Sequence, residues 1–178
     1  LQQKLLNEGI EKTGIIVAEG YDYEIIKKAY RPQDDLSLLV TLKANGTIEK
    51  TVIGSLAESL TVDRHDAADW NRLKEIFASD TLQMVSFTIT EKGYSITSPD
   101  GAFRADVKAD FEAGPENADS YIGKLAALCY WRYTQGAAPL ALVSMDNCSH
   151  NGDKLFAAVD AYAKAWTENG KAEKGFLE

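Results

Sequence analysis

The chain has 178 residues, with 19 Lys+Arg against 27 Asp+Glu, so its formal charge is −8. Apolar residues make up 45% and charged residues 26%, a balance that suits a soluble globular protein with a core of its own. The acidic balance excludes nucleic acid and anionic membrane as principal partners, no apolar run approaches the ~20 residues of a membrane helix, and Cys129 and Cys148 are too few for a disulfide framework.

A cytoplasmic, reducing compartment is therefore expected. The chain opens inside a helical pattern at Leu1–Glu8, without an initiator Met or a signal peptide, and stops at Lys174–Glu178 without a polar tail. These ends predict a piece of a longer polypeptide.

Residues 2–12 have helix-forming composition, and Gly14 breaks the pattern. Ile15–Ala18 is a short β-branched run, expected as a strand buried on both faces. Glu19 and Gly20 follow it. Asp22 then caps a predicted helix with Ile25, Ile26 and Ala29 on one face, ended by Arg31-Pro32. Leu36–Leu42 and Thr47–Ile53 read as strands of a hairpin whose Asn45-Gly46 turn tolerates positive φ at both residues.

Trp70, Leu73, Ile76 and Phe77 have helical spacing. Leu82–Thr90 is a predicted apolar strand running into Glu91-Lys92-Gly93, and Ser98-Pro99-Asp100-Gly101 is a turn. Residues 105–118 read as acidic and irregular. A helix is expected at 119–134, with Ile122, Leu125, Ala126, Cys129 and Tyr133 along one side. Pro139–Met145 is a third buried strand, and 152–168 a helix with Leu155, Val159, Tyr162 and Trp166 in line. No internal repeat is present.

Strands followed by helices at 15–30, 82–134 and 139–168 predict an α/β fold: a mostly parallel sheet with an antiparallel hairpin inserted at 36–53. Ligands of such sheets bind beyond the carboxyl ends of the strands. Three segments lie there: Glu19–Asp22, Thr88–Tyr94 and Ser144–Gly152.

An acid at the end of a strand can accept hydrogen bonds from an adenosine ribose, and Glu19 and Asp22 are both placed for it. A helix cap at Asp22 and a solvated charge at Glu19 are the plainer alternatives. The glycine fingerprint G-x-G-x-x-G is absent from the sequence. Thr88–Tyr94 is dense in hydroxyls and charge, as suits a loop against a polar ligand, although a strand exit with a turn glycine would look the same. In Asp146-Asn147-Cys148-Ser149-His150-Asn151-Gly152 the Cys148-x-His150 pair supplies too few ligands for zinc, and a local dyad is weak because neighbouring side chains on an extended segment diverge. Asn147 is the better candidate, since its amide NH₂ can donate to an oxygen gaining negative charge. Ser149 or Asn151 is the natural cap of the helix that follows.

Thr88-Ile89-Thr90-Glu91-Lys92-Gly93-Tyr94 resembles the T-x-T-E-K-G-Y segment of the polyol-specific long-chain dehydrogenases, and Ser144–Gly152 is similar to their S-x-D-N-x-x-x-N-G segment. This is the mannitol dehydrogenase family, which includes the fructuronate and tagaturonate reductases. Ile15–Asp22 and Gln33–Leu38 fit the same family in order and spacing, so the resemblance covers essentially the whole chain.

The resemblance implies a Rossmann-like NAD(P)-binding domain, incomplete at its N-terminus. It also implies metal-free hydride transfer between NAD, in preference to NADP, and a sugar alcohol or hexuronate. Carried over, Asn147 matches an oxyanion asparagine, Thr90, Glu91 and Lys92 match the motif beside the cofactor, and Glu19 or Asp22 matches the acid at the ribose. The family's glycine turn is expected upstream of Leu1. Its K-x-x-x-x-N-x-x-H segment, with the lysine base on the substrate domain, is expected downstream of Glu178, so residues 1–178 should be a partial cofactor domain, inactive alone. The alternative is a non-catalytic nucleotide- or partner-binding α/β module.

Overall fold

A computed structural model describes residues 1–136 and 138–177. The chain divides into two compact units, Leu1–Trp70 and Asn71–Glu178. Among the described residues the strands form three two-stranded pairs, two parallel and one antiparallel.

In the first unit, α1 (Gln2–Asn7) precedes β1 (Ile15–Glu19). After β1 come α2 (Tyr23–Ile25), a π turn over Ile26–Tyr30 and a 3₁₀ turn over Arg31–Gln33. The hairpin strands β2 (Ser37–Leu42) and β3 (Ile48–Ile53) follow, then β4 (Leu56–Thr61). Strand β1 pairs in parallel with β4, from Ile16 opposite Glu58 to Glu19 opposite Thr61. Gly14 permits the approach: a Cβ there would lie 2.5 Å from the Ala57 Cβ.

Three expectations for this unit are corrected. First, β1 is half-buried to exposed along its length rather than buried on both faces, because β4 is its only partner among the described residues. Second, of Ile25, Ile26 and Ala29 only Ile26 is buried, and the helical backbone continues through Arg31-Pro32 as a 3₁₀ turn. Third, only Gly46 of the Asn45-Gly46 pair takes positive φ (82°). The Lys43 amide donates to the Thr47 carbonyl (2.9 Å) and the Gly46 amide to the Lys43 carbonyl (2.9 Å), so the loop is three residues long with glycine in the left-handed position. Asn45 contributes through its side chain, accepting from the Thr47 amide (3.1 Å) and hydroxyl (2.7 Å).

A buried acid organises this unit. Asp69, on α3 (Ala67–Ala78), accepts from the Thr61 amide (2.8 Å) and hydroxyl (2.7 Å) and from Arg31 (2.6 and 2.7 Å). Burial pushes its pKa up, but the Thr61 hydrogen bonds and the Arg31 charge outweigh it and hold the carboxyl below its ordinary value.

The second unit contains β5 (Met84–Phe87), α4 (Thr90–Gly93), α5 (Ala105–Ala113), α6 (Tyr121–Thr134), β6 (Ala141–Ser144) and α7 (Asn151–Glu168), with a closing 3₁₀ turn at Lys174–Leu177. Its core comprises Phe87, Val107, Ile122, Leu125, Leu128, Leu155, Tyr162 and Trp166. Leu155, Ala158, Tyr162 and Trp166 lie on one stripe of α7, the spacing expected of an amphipathic helix. Strand β5 is shorter than Leu82–Thr90, and β6, shorter than Pro139–Met145, is exposed at Ala141 and half-buried elsewhere.

Residues 105–118 are not irregular throughout: Ala105–Ala113 form α5, ended by Gly114 at φ 85°. The buried side of α5 presents Val107 and Asp110. The Asp110 carboxylate accepts from the amides of Asp119 (2.8 Å) and Ser120 (3.0 Å), closing the loop before α6. The Trp166 indole donates to the Asp110 carbonyl (2.8 Å). Gly123 is required beside this carboxylate, because a Cβ there would collide with Asp110 Oδ2.

Buried Arg132 closes the other end of α6. Its guanidinium donates to the carbonyls of Phe77 (2.7 Å), Ser79 (2.7 Å), Leu82 (3.1 Å) and Ala138 (2.8 Å). Arg132→Met keeps the stem and strands these acceptors, so it should lower unfolding free energy by about 3 kcal/mol or more. Gly123→Ala should cost about 1–3 kcal/mol through overpacking. Urea unfolding of the chain measures both, and losses under 1 kcal/mol would contradict the assignment.

Candidate functional site

Strands β5 and β6 run in parallel with Met84 opposite Ala141 and Phe87 opposite Ser144. This register brings the carboxyl ends of both strands together, and the Met145 amide extends the pairing by donating to the Phe87 carbonyl (2.9 Å). The segments that follow, Thr88–Tyr94 and Met145–Gly152, therefore leave the sheet side by side.

Asp146 joins them. Its Oδ2 accepts from the Ile89 amide (2.9 Å) and from the Tyr94 hydroxyl, and its Oδ1 accepts from the Thr90 amide (3.0 Å). The Tyr94 hydroxyl also contacts the Ser144 hydroxyl (2.7 Å). Tyr94 itself is buried, so its phenol is a fixed donor. The Tyr94 hydrogen bond, with those from Ile89 and Thr90, holds the Asp146 carboxyl below its ordinary pKa of 3.8. Burial, then the neighbouring Asp146 carboxylate, pushes the Tyr94 phenol up to about 12.

The backbone around Asp146 is pinned as well. Its carbonyl accepts from the Asn151 side-chain amide (2.8 Å) and from the Cys148 amide (3.0 Å). Asn151 is thus a tie across the loop rather than a helix cap, and Ser149 does not cap either: His150, at φ 54°, occupies the position before α7. The His150 ring meets Asp153 (3.2 Å) one turn on.

The predicted site residues fall into two sets. Glu19 and Asp22 lie at the carboxyl end of β1. Glu19 Oε1 accepts from the amides of Tyr21 (2.7 Å) and Asp22 (3.2 Å), which orients the carboxylate, while Asp22 caps α2 by accepting from the Glu24 amide (3.2 Å). Thr90, Glu91, Lys92 and Asn147 belong to the second set.

Thr90 stands at φ 62°, a left-handed conformation costing a β-branched residue about 1–3 kcal/mol. Its amide is one of the donors on Asp146, so the strained residue is held by that carboxylate. Glu91 pairs with Lys154 of α7, which lowers the pKa of the acid and raises that of the lysine. Lys92 and Asn147 are exposed. Asn147 follows the pinned Asp146 directly, with its amide open to a ligand.

Sequence reasoning missed Asp146, Tyr94 and Ser144 as a unit. Asp146 and Tyr94 sit inside the two quoted motifs, so the signal was available, but their meeting depends on the β5–β6 register.

Because the folded-state pKa of Asp146 is depressed, its contribution to stability is full above about pH 4 and is lost as pH falls through the folded value. The gap in urea midpoint between the wild-type chain and Asp146→Asn should therefore be wide at neutral pH and narrow in acid below 3.8. A gap that does not change with pH would contradict an ionised Asp146 as the acceptor.

No protein-family model matches the chain. D-mannonate oxidoreductase of Thermotoga maritima is 46% identical over 176 residues, covering 99% of this chain and 32% of that protein. A polyol:NADP oxidoreductase of Gluconobacter oxydans is 33% identical over 144 residues, covering 78% of this chain and 29% of that protein. The solved structure of Pseudomonas fluorescens mannitol 2-dehydrogenase, a ternary complex with NAD and D-mannitol, superposes with a TM-score of 0.74 at 30% identity, over 92% of this chain and 33% of that one. The chain spans about a third of the length of these relatives. With both motif segments built into one site, it belongs to the mannitol dehydrogenase family of polyol oxidoreductases.

Proposed function

We propose that these residues are a partial NAD-binding domain of an oxidoreductase that moves a hydride between nicotinamide and a sugar alcohol or keto-hexuronate, of the mannitol/fructose or mannonate/fructuronate type. The observation that carries this reading is the union of Thr88–Tyr94 with Ser144–Gly152 through Asp146, at the carboxyl ends of a parallel strand pair.

Bound nicotinamide supplies the hydride acceptor or donor. In the oxidation direction the carbinol C–H electron pair leaves with its hydrogen as hydride, and the hydroxyl proton passes to a base. Asn147 donates its amide N–H to the oxygen on which charge develops, an interaction strongest in the transition state. Thr90, Glu91 and Lys92 form the wall beside the cofactor. Glu19, already oriented by two backbone amides, suits the ribose hydroxyls and disfavours an added phosphate by charge repulsion, which supports NAD over NADP. The family's K-x-x-x-x-N-x-x-H segment, with its lysine base, does not occur in the 178 residues, and this chain alone is expected not to turn over substrate.

The test is a steady-state assay of the full-length protein with NAD and either D-mannitol or D-mannonate. Turnover is expected, and Asn147→Ala should lower kcat by roughly 10²–10³-fold. Absence of turnover, with no thermal shift on adding NAD or NADP, would instead favour a non-catalytic module.

A further inference from the structure

We infer that Asp146 is the positioning residue of this site: one carboxylate fixes the left-handed turn at Thr90 and the backbone from which Asn147 projects. The inference rests on the functional reading given above and assigns a role to a residue that never needs to touch substrate.

Three observations converge on Asp146. Its side chain takes three donors, the amides of Ile89 and Thr90 and the Tyr94 hydroxyl, from a segment 52 to 57 residues away in sequence. Its carbonyl is held independently by the Asn151 amide at 2.8 Å. Its immediate neighbour, Asn147, makes no hydrogen bond of its own among the described residues and is exposed. The backbone that Asp146 anchors therefore sets the point from which the Asn147 amide reaches the site, and a ligand selects its rotamer. The cofactor wall and the oxyanion donor share this anchor, so they keep a fixed separation while substrate and cofactor exchange. Hydride transfer is sensitive to displacements of this kind, because a shift of about 1 Å can cost on the order of 10²-fold in rate.

Asparagine at 146 is the informative replacement. It keeps the shape and one acceptor but turns the other oxygen into an NH₂, which faces either the Thr90 amide or the Ile89 amide and Tyr94 hydroxyl as donor against donor. The test is a double-mutant cycle in the full-length protein, comparing Asp146→Asn, Asn147→Ala and the pair, with kcat, KM for the sugar substrate, NAD affinity and melting temperature recorded for each. Asp146→Asn should lower kcat by about 10- to 100-fold and weaken NAD binding, since the turn at Thr90 loses its anchor, with KM for the sugar substrate little changed. The pair should be slower than Asn147→Ala alone by clearly less than the loss Asp146→Asn gives in the wild-type background, because part of the Asp146 effect runs through the group already removed. A residue that merely stabilises the fold would instead give losses that multiply, and that result overturns the inference.

Wild-type protein without turnover overturns the functional reading itself, a different outcome. Should Asp146→Asn fail to fold, Tyr94→Phe removes one donor from the same carboxylate and enters the same cycle. A smaller kcat loss, again non-additive with Asn147→Ala, is then expected, and additive losses again overturn the inference.

Discussion

Three donors from one loop end on a single carboxylate of another, and the geometry of the candidate site follows from that arrangement. Ile89 and Thr90 offer amides that have left the β5 ladder and would otherwise lack a protein partner. Asp146 accepts both, and by holding the Thr90 amide it stabilises a backbone conformation that threonine avoids. The buried Tyr94 phenol supplies the third bond and ties the carboxylate back to Ser144 at the end of β6. The parallel register of β5 and β6, with Phe87 opposite Ser144, is what makes the meeting possible.

The same device recurs at three other junctions. Asp69 gathers the end of β4 and Arg31, Asp110 gathers the turn before α6, and Arg132 gathers four carbonyls from the segments that border α6. Each is a charged side chain withdrawn from water and satisfied by several partners. Such groups are costly to bury alone and strongly destabilising to break. They suit a protein whose paired strands are short, because they add directional constraints that apolar packing does not supply. The exposed Glu91–Lys154 pair differs in kind: screened by water, it adds orientation rather than much stability.

The sequence was most legible where a period repeats. The spans of α6 and α7 are legible in their apolar spacing, although Tyr133 on the expected α6 side is exposed, and the hairpin in its Asn45-Gly46 turn, although the turn uses only the glycine for its positive φ. Strand β4 went unread because Glu58 and Ser59 interrupt its apolar pattern, and α5 because Val107 is its sole buried apolar residue while its other inward position carries Asp110. Within the site, the two motif segments and Asn147 were visible as residue strings. The role of Asp146 was not, since it depends on strand register, and neither was the pairing of Glu91 with Lys154, which lies 63 residues away. Periodicity reports which face is buried; it is silent on which loops will touch.

We propose that the joined loops form the reacting end of a nicotinamide site. A crystal structure of the full-length protein with NAD and a bound polyol tests it most directly. The nicotinamide ring is expected against the Thr88–Tyr94 segment and the reacting oxygen is expected to accept a hydrogen bond from the Asn147 amide, with Asp146 still receiving the Ile89 and Thr90 amides. A polyol oxygen bound away from Asn147, or a nicotinamide that leaves both loops uncontacted, would contradict it.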